Sequence, residues 1–218
     1  DRLGVVTEKG ELLYGDRVLL LFARHVLAEH PGSPVIGEVK CSRVLFDDIA
    51  RHGGVPIMWK AGHSLIKAKM RETRALLAGE MSGHFFFADR YFGFDDGVYA
   101  ALRLLEILDR SSRPLSELLA DVPHTYSTPE LRFDCPDEKK FDIVKKAVEY
   151  FRERYQVIDI DGVRVNFPDG WGLVRASNTQ PVLVMRFEAD SGARLKEIQD
   201  LVVSKIREFS AGKQEFTH

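Results

Sequence analysis

At 218 residues and 44% hydrophobic, the chain carries enough apolar material for one large or two modest domains with cores of their own, which excludes a disordered polymer. Thirty-one Lys and Arg against 33 Asp and Glu leave a formal charge of −2, so no global positive field draws nucleic acid or an anionic membrane, and any anion must be met by a local cluster. Two cysteines, Cys41 and Cys135, are too few for a disulfide framework and too scattered for structural zinc. The longest apolar runs, 18–23 and 182–187, fall far short of the roughly 20 residues of a membrane span, so a soluble protein of a reducing, cytoplasmic compartment is expected.

Asp1 has no Met before it and leads at once into a strand-like stretch at 3–7 and a turn at Lys9-Gly10. A domain rarely opens so abruptly, and we expect a fragment of a longer protein, with residues 1–8 the end of a preceding domain; a mature N-terminus left by processing is the alternative. From 16 to 29, Val18, Leu19, Phe22, Val26 and Leu27 recur at helical spacing until Pro31-Gly32. A strand at 35–39, a helix at 44–49 ending before Gly53-Gly54, and a buried strand at 55–59 follow. Next come a basic helix at 64–74 whose Lys67, Lys69, Arg71 and Arg74 read as a solvated face, short strands at 76–78 and 85–87, and a helix at 96–108 capped by Asp95 and Asp96. This alternation predicts a layered mixed α/β sheet domain over 9–123.

Turn formers crowd the stretch 109–129, and we place a domain boundary near 123. Beyond it a β-α-β-β-β-β-α order with tight turns at Asp161-Gly162 and Asp169-Gly170 predicts a smaller α+β domain over 124–218 with an antiparallel sheet.

Three loops at predicted strand ends carry candidate chemistry. In Gly79-Glu80-Met81-Ser82-Gly83-His84 the polar residues Glu80, Ser82 and His84 alternate, so an extended backbone would turn three polar tips to one side. A carboxylate, a hydroxyl and an imidazole suit sugar hydroxyls, which donate and accept; a plain polar turn satisfies the same spacing. In Arg175-Ala176-Ser177-Asn178-Thr179-Gln180-Pro181 a guanidinium, hydroxyls and an amide suit a phosphate dianion, with no carboxylate nearby to repel it. Ordinary turn chemistry beside a surface ion pair is the alternative there. The third group joins Lys40, after one strand, to Lys60-Ala61-Gly62-His63-Ser64, after another. Lys40 and His63 are candidates to face one substrate, with His63 either a proton carrier near neutral pH or a helix cap.

These loops, with Trp59-Lys60-Ala61-Gly62-His63-Ser64 and Phe92-Gly93-Phe94-Asp95-Asp96-Gly97, resemble the α-D-phosphohexomutase superfamily along essentially the whole chain, in its bacterial phosphomannomutase/phosphoglucomutase branch. Glu80-Met81-Ser82 looks like the mannose/glucose branch rather than the glucosamine branch. The resemblance assigns the chain to the third and fourth domains of such an enzyme, in which a phosphoserine on the first domain phosphorylates a hexose phosphate and a bisphosphorylated intermediate reorients. It implies a phosphorylated hexose as ligand in a cleft between the two domains, the missing N-terminal domains as partner, glucose 1,6-bisphosphate as activator, and a monomer.

By the same resemblance, Glu80 and Ser82 hold sugar hydroxyls and His84 supports that loop or the nearby phosphate. Lys40, Gly62 and His63 line the reacting end, with Lys40 and His63 catalytic. Arg175, Ser177, Asn178 and Thr179 hold the phosphate that is not transferred. Arg2 sits beside the phosphoserine of the complete enzyme, and Arg17 supports the phosphate or the domain interface. Asp1 matches the end of the family's Asp-Gly-Asp-Gly-Asp-Arg loop and is one ligand of Mg²⁺ in the complete enzyme; alone it is expected to hold the ion weakly. A non-catalytic sugar-phosphate-binding module is the second reading.

Overall fold

The computed structural model describes residues 1–210, which divide into two compact units, Asp1–Pro123 and a second beginning at His124. The last eight residues of the predicted second domain, 211–218, lie outside the described residues.

The first unit opens with a small antiparallel pair, β1 (Val5–Val6) and β2 (Leu12–Leu13), so the strand expected over 3–7 shrinks to two residues. Its body follows as α1 (Gly15–Glu29), β3 (Pro34–Glu38), α2 (Arg43–Arg51), β4 (Val55–Trp59), α3 (His63–Thr73), β5 (Leu77–Gly79), β6 (Phe85–Phe87) and α4 (Gly97–Asp109). The sheet order is β4-β3-β5-β6, parallel except for β6.

Period-two alternation sorts β6 between two cores: Phe85 and Phe87 join Phe22, Val26 and Leu45 on one side, and Phe86 joins Ile66, Met70 and Ala78 on the other. Helix α1 is covered nearly all round, and Phe22 meets Phe85 and Phe87 edge-on with centroids 5.1 and 4.9 Å away. Strand β4, expected to be buried, is instead an edge strand that among the described residues pairs only with β3, and Val55 is 49% exposed. A β-branched run marks a strand but not its place in the sheet.

In the second unit β7 (Tyr126–Ser127), β8 (Leu131–Asp134), α5 (Asp137–Arg152), β9 (Gln156–Ile158), β10 (Val163–Phe167), β11 (Gly170–Ala176), β12 (Val182–Ala189) and α6 (Gly192–Phe209) form one antiparallel sheet with two helices. Strands β7 and β8 share the outer edge of β12. Ile143, Ala147 and Phe151 of α5 and Ile198, Val202 and Ile206 of α6, spaced by three or four residues, pack with Val163, Val165, Val174 and Phe187. Alternation along β11 sends Val174 and Ala176 into this core and leaves Leu173 and Arg175 on the opposite face.

Candidate functional site

Strands β4, β3 and β5 run parallel and adjacent, so the loops leaving their C-terminal ends lie side by side, the edge at which open α/β sheets take ligands. Hydrogen bonds tie these loops. Val39 N–H donates to the Trp59 carbonyl at 3.0 Å, Gly62 N–H to Glu80 Oε1 at 2.8 Å, and Met81 N–H to Glu38 Oε1 at 3.3 Å.

Glu38 was not among the residues the sequence singled out, although it ends the apolar strand two positions before Lys40. It is fully buried, accepts the Lys40 N–H on Oε2 at 2.9 Å, and lies 3.7 Å from the Lys40 ammonium. Burial pushes its carboxyl above the usual carboxylate range; Lys40 opposes the shift and the neighbouring Glu80 adds to it.

Residues 80–84 form a turn rather than an extended segment. Glu80 N–H donates to the His84 carbonyl at 2.9 Å and Gly83 N–H to the Glu80 carbonyl at 3.0 Å, and Gly83 has φ +91°. The three polar side chains therefore do not share one side. Glu80 and Ser82 form a pair, the hydroxyl donating to Oε2 at 3.0 Å. His84 turns to Asp95 through Nδ1, 2.8 Å from Oδ2, and to Arg2, whose Nε donates to Nε2 at 3.0 Å. Arginine only donates, so His84 accepts at Nε2 and carries its proton on Nδ1, toward Asp95. Asp95 is thus committed to His84, and the cap of α4 is Asp96 alone, accepting from Val98 and Tyr99 N–H at 3.0 and 2.9 Å.

Each oxygen of Glu80 already receives one donor, and a carboxylate has about four lone-pair positions, so the group can accept two further hydroxyl protons. Gly15, at the head of α1, braces the turn: its N–H donates to the Met81 carbonyl at 3.1 Å, and a Cβ there would sit 2.3 Å from the Glu80 carbonyl. Arg17, two residues further along α1, is half-buried. His63 is exposed at the first position of α3, whose N-cap is Gly62 at φ +124°, so the imidazole caps nothing.

Asp1 and Arg2 line a cavity of about 530 Å³ with Asp95, Asp96 and Gly97. These carboxylates do not fit Mg²⁺: Asp95 serves His84, while Asp96 serves the helix cap and the Tyr91 hydroxyl, so among the described residues Asp1 is the one acid of this cavity without such a commitment. Glu29, His30 and Asp89 also lie together, but Arg103 at 2.6 Å from Asp89 and Arg110 at 3.5 Å from Glu29 already supply the counter-charge.

In the second unit Arg175 is buried, and its Nε donates to Asp161 Oδ2 at 3.1 Å. The expectation of no carboxylate nearby is overturned by topology. The Asp161-Gly162 turn folds against β11 so closely that a Cβ on Gly162, at φ +89°, would meet the Val174 carbonyl at 2.3 Å, and this brings Asp161 to Arg175. Arg175 keeps its two Nη groups without a hydrogen bond among the described residues, so Asp161 aims the fork rather than consuming it. The following turn is organised by Ser177, whose Oγ accepts from Thr179 and Gln180 N–H at 3.3 and 3.2 Å. Beneath it buried Lys140 of α5, another residue the sequence did not flag, donates to the Ser177 and Gln180 carbonyls at 2.5 and 3.0 Å. Asn178 and Thr179 are left exposed at the tip.

A three-layer α/β unit with three joined strand-end loops, followed by an antiparallel α+β unit presenting an aimed guanidinium beside a donor-rich turn, sets the class: an α/β protein whose loops suit hydroxyls in one unit and an oxyanion in the other. Residues 14–126 match the family described as phosphoglucomutase/phosphomannomutase, alpha/beta/alpha domain III, and residues 130–205 match phosphoglucomutase/phosphomannomutase, C-terminal domain. The chain belongs to the phosphoglucomutase/phosphomannomutase family. It is 53% identical over 208 residues to a phosphomannomutase/phosphoglucomutase of Pseudomonas putida, covering 94% of this chain and 45% of that one. A phosphoglucomutase of Neisseria gonorrhoeae is 53% identical over 203 residues, covering 92% and 44%. A crystal structure of a phosphoglucomutase/phosphomannomutase family protein from Burkholderia thailandensis superimposes with a TM-score of 0.87 at 49% identity, covering 98% of this chain and 45% of that one. The chain thus spans a little under half the length of the relatives it matches. No helix among the described residues is long and apolar enough to cross a membrane.

Proposed function

We propose that the chain is the sugar- and phosphate-holding part of a hexose phosphate mutase, which interconverts hexose 6-phosphate and hexose 1-phosphate of the mannose and glucose series. The observation that carries this reading is the Glu80 carboxylate, anchored by the Gly62 N–H and the Ser82 hydroxyl with lone pairs to spare, in a chain of this family. Glu80 and Ser82 take hydroxyls of the sugar ring. Arg175, with Ser177, Asn178 and Thr179, takes the phosphate that is not transferred. Lys40 and His63 face the reacting end, Lys40 as a fixed positive charge and His63 as the proton carrier. Arg2 and Arg17 attend the phosphate at that end.

A phosphoserine, Mg²⁺ and glucose 1,6-bisphosphate belong in this reading to the whole protein, and no step through the metal follows from the residues present. The chain alone binds without turnover. The test is a titration with glucose 1-phosphate and mannose 1-phosphate followed by amide shifts. Saturable shifts at both 80–84 and 175–180 are expected, and mixing with a chain holding the first two domains is expected to restore mutase activity. Shifts at neither loop would sink the assignment; binding without restored activity from a folded mixture would favour a non-catalytic sugar-phosphate module.

A further inference from the structure

Helix α3 does not present its cations to bulk solvent alone, as its sequence suggests. Lys69 sits over the Trp59 ring at 4.2 Å and pairs with Glu72. Lys67 and Arg71 of α3, at positions i and i+4, and Arg74, its left-handed C-cap at φ +54°, line a cavity of about 690 Å³ together with Phe92-Gly93-Phe94. No acidic residue lines it, and these three side chains have no carboxylate partner among the described residues. Lys67 and Arg71 are like charges one turn apart on α3, a pairing that mildly disfavours the helix unless an anion neutralises it.

The facing wall is aromatic and rigid. Phe92 and Phe94 are 77% and 56% exposed, and their rings stack 5.6 Å apart at 28°. Gly93 fixes the loop at φ +74° and donates its N–H to the Phe87 carbonyl at 2.7 Å, while Tyr91 packs against both rings, its hydroxyl held by Asp96. Two large apolar rings held out toward water beside three unpaired cations are costly features for a bare surface, and they lie across one space of the size that takes small molecules.

We propose that this cavity is a separate binding site for a nucleoside phosphate, its base lying on Phe92 and Phe94 and its phosphates against Lys67, Arg71 and Arg74. The chemistry selects this class. Three cations with no acid call for a multiply charged anion. Exposed phenyl faces call for a flat partner. A hydroxyl-rich sugar is disfavoured because the lining side chains offer a single hydroxyl, Ser64, and no carboxylate to receive its protons.

The test is calorimetry on the 218-residue chain with ADP, inorganic phosphate and adenosine as separate probes. ADP is expected to bind saturably and inorganic phosphate and adenosine each at least about tenfold more weakly. Arg71→Ala is expected to weaken ADP and phosphate together, and Phe92→Ala to weaken ADP about tenfold while leaving phosphate unchanged. Both side chains are exposed, so both variants fold, and circular dichroism verifies it. The site is refuted by no saturable ADP binding, by ADP affinity indifferent to either substitution, or by ADP shifting the amides of 80–84 and 175–180 rather than those of 67–74 and 92–94, which would put the nucleotide on the sugar-phosphate loops instead.

Discussion

The carboxylate of Glu80 receives the backbone N–H of Gly62 at 2.8 Å, joining the loop after β5 to the head of α3 across 18 residues of sequence. The acceptor we assign to the sugar also fixes the loop that displays His63, so the two cannot be altered independently.

Glu80→Ala removes the acceptor for both Gly62 and Ser82. We predict that affinity for glucose 1-phosphate falls by about 1.5–3 kcal/mol, the range for hydrogen bonds to a charged group, and that amide shifts spread from 80–84 to 62–64. Calorimetry together with a two-dimensional amide spectrum checks both parts; an effect confined to 80–84 would show that the link to α3 is slack.

Arg175→Ala should weaken the same ligand by about 1.5–3 kcal/mol, and Arg175→Lys should recover only part of it because an ammonium lacks the planar fork. Asp161→Asn keeps the hydrogen-bond acceptor to Nε but lowers the local negative charge, so phosphate affinity should hold or rise. A fall in affinity with Asp161→Asn would mean that Asp161 is needed for more than aim.

Glu38 supplies a pH dependence. Its folded pKa is raised by burial above the ordinary 4.5, so the stability linked to its protonation is fully present below that value and is lost as pH rises through the folded pKa. Glu38→Gln does not titrate. The stability advantage of the parent over Glu38→Gln, measured by urea unfolding, should therefore be larger at pH 4 than at pH 7, changing by at most about 1.4 kcal/mol per pH unit. A pH-independent difference contradicts the buried-carboxyl account.

Gly15→Ala places a Cβ 2.3 Å from the Glu80 carbonyl and 2.7 Å from the Met81 carbonyl. Backbone must move, and we expect a loss of about 1–3 kcal/mol in unfolding free energy together with weaker sugar-phosphate binding. In the second unit, Lys140→Met strips the Ser177 and Gln180 carbonyls of their buried donor and should cost about 1–3 kcal/mol, with new amide shifts at 177–180.

Helical spacing of Val18, Leu19, Phe22, Val26 and Leu27 located α1, and β-branched runs bounded by Gly and Pro located β3, β10 and β12, because those patterns report local periodicity. The residue types at 80–84 and 175–180 were legible, since Gly, Ser and Asn mark strand-end turns residue by residue, but the turned backbone at 80–84 and the Asp161 partner of Arg175 were not. Periodicity does not report neighbours. Val55 looked as buried as Val35, and only the sheet order makes one an edge residue and the other central.

The amino-acid sequence by itself determined the two α/β units, their element order and the residue types brought to each strand-end loop, since these depend on contacts a few positions apart. Tertiary structure alone decided that Glu38 lies buried beneath Lys40, that Asp161 aims Arg175, that Lys140 holds the 177–180 turn, and that Lys67, Arg71 and Arg74 face Phe92 and Phe94. Each of these pairings, beyond the two-residue step from Glu38 to Lys40, joins groups separated by many residues in the chain, and their closeness comes from strand order and turn direction, which local periodicity does not encode.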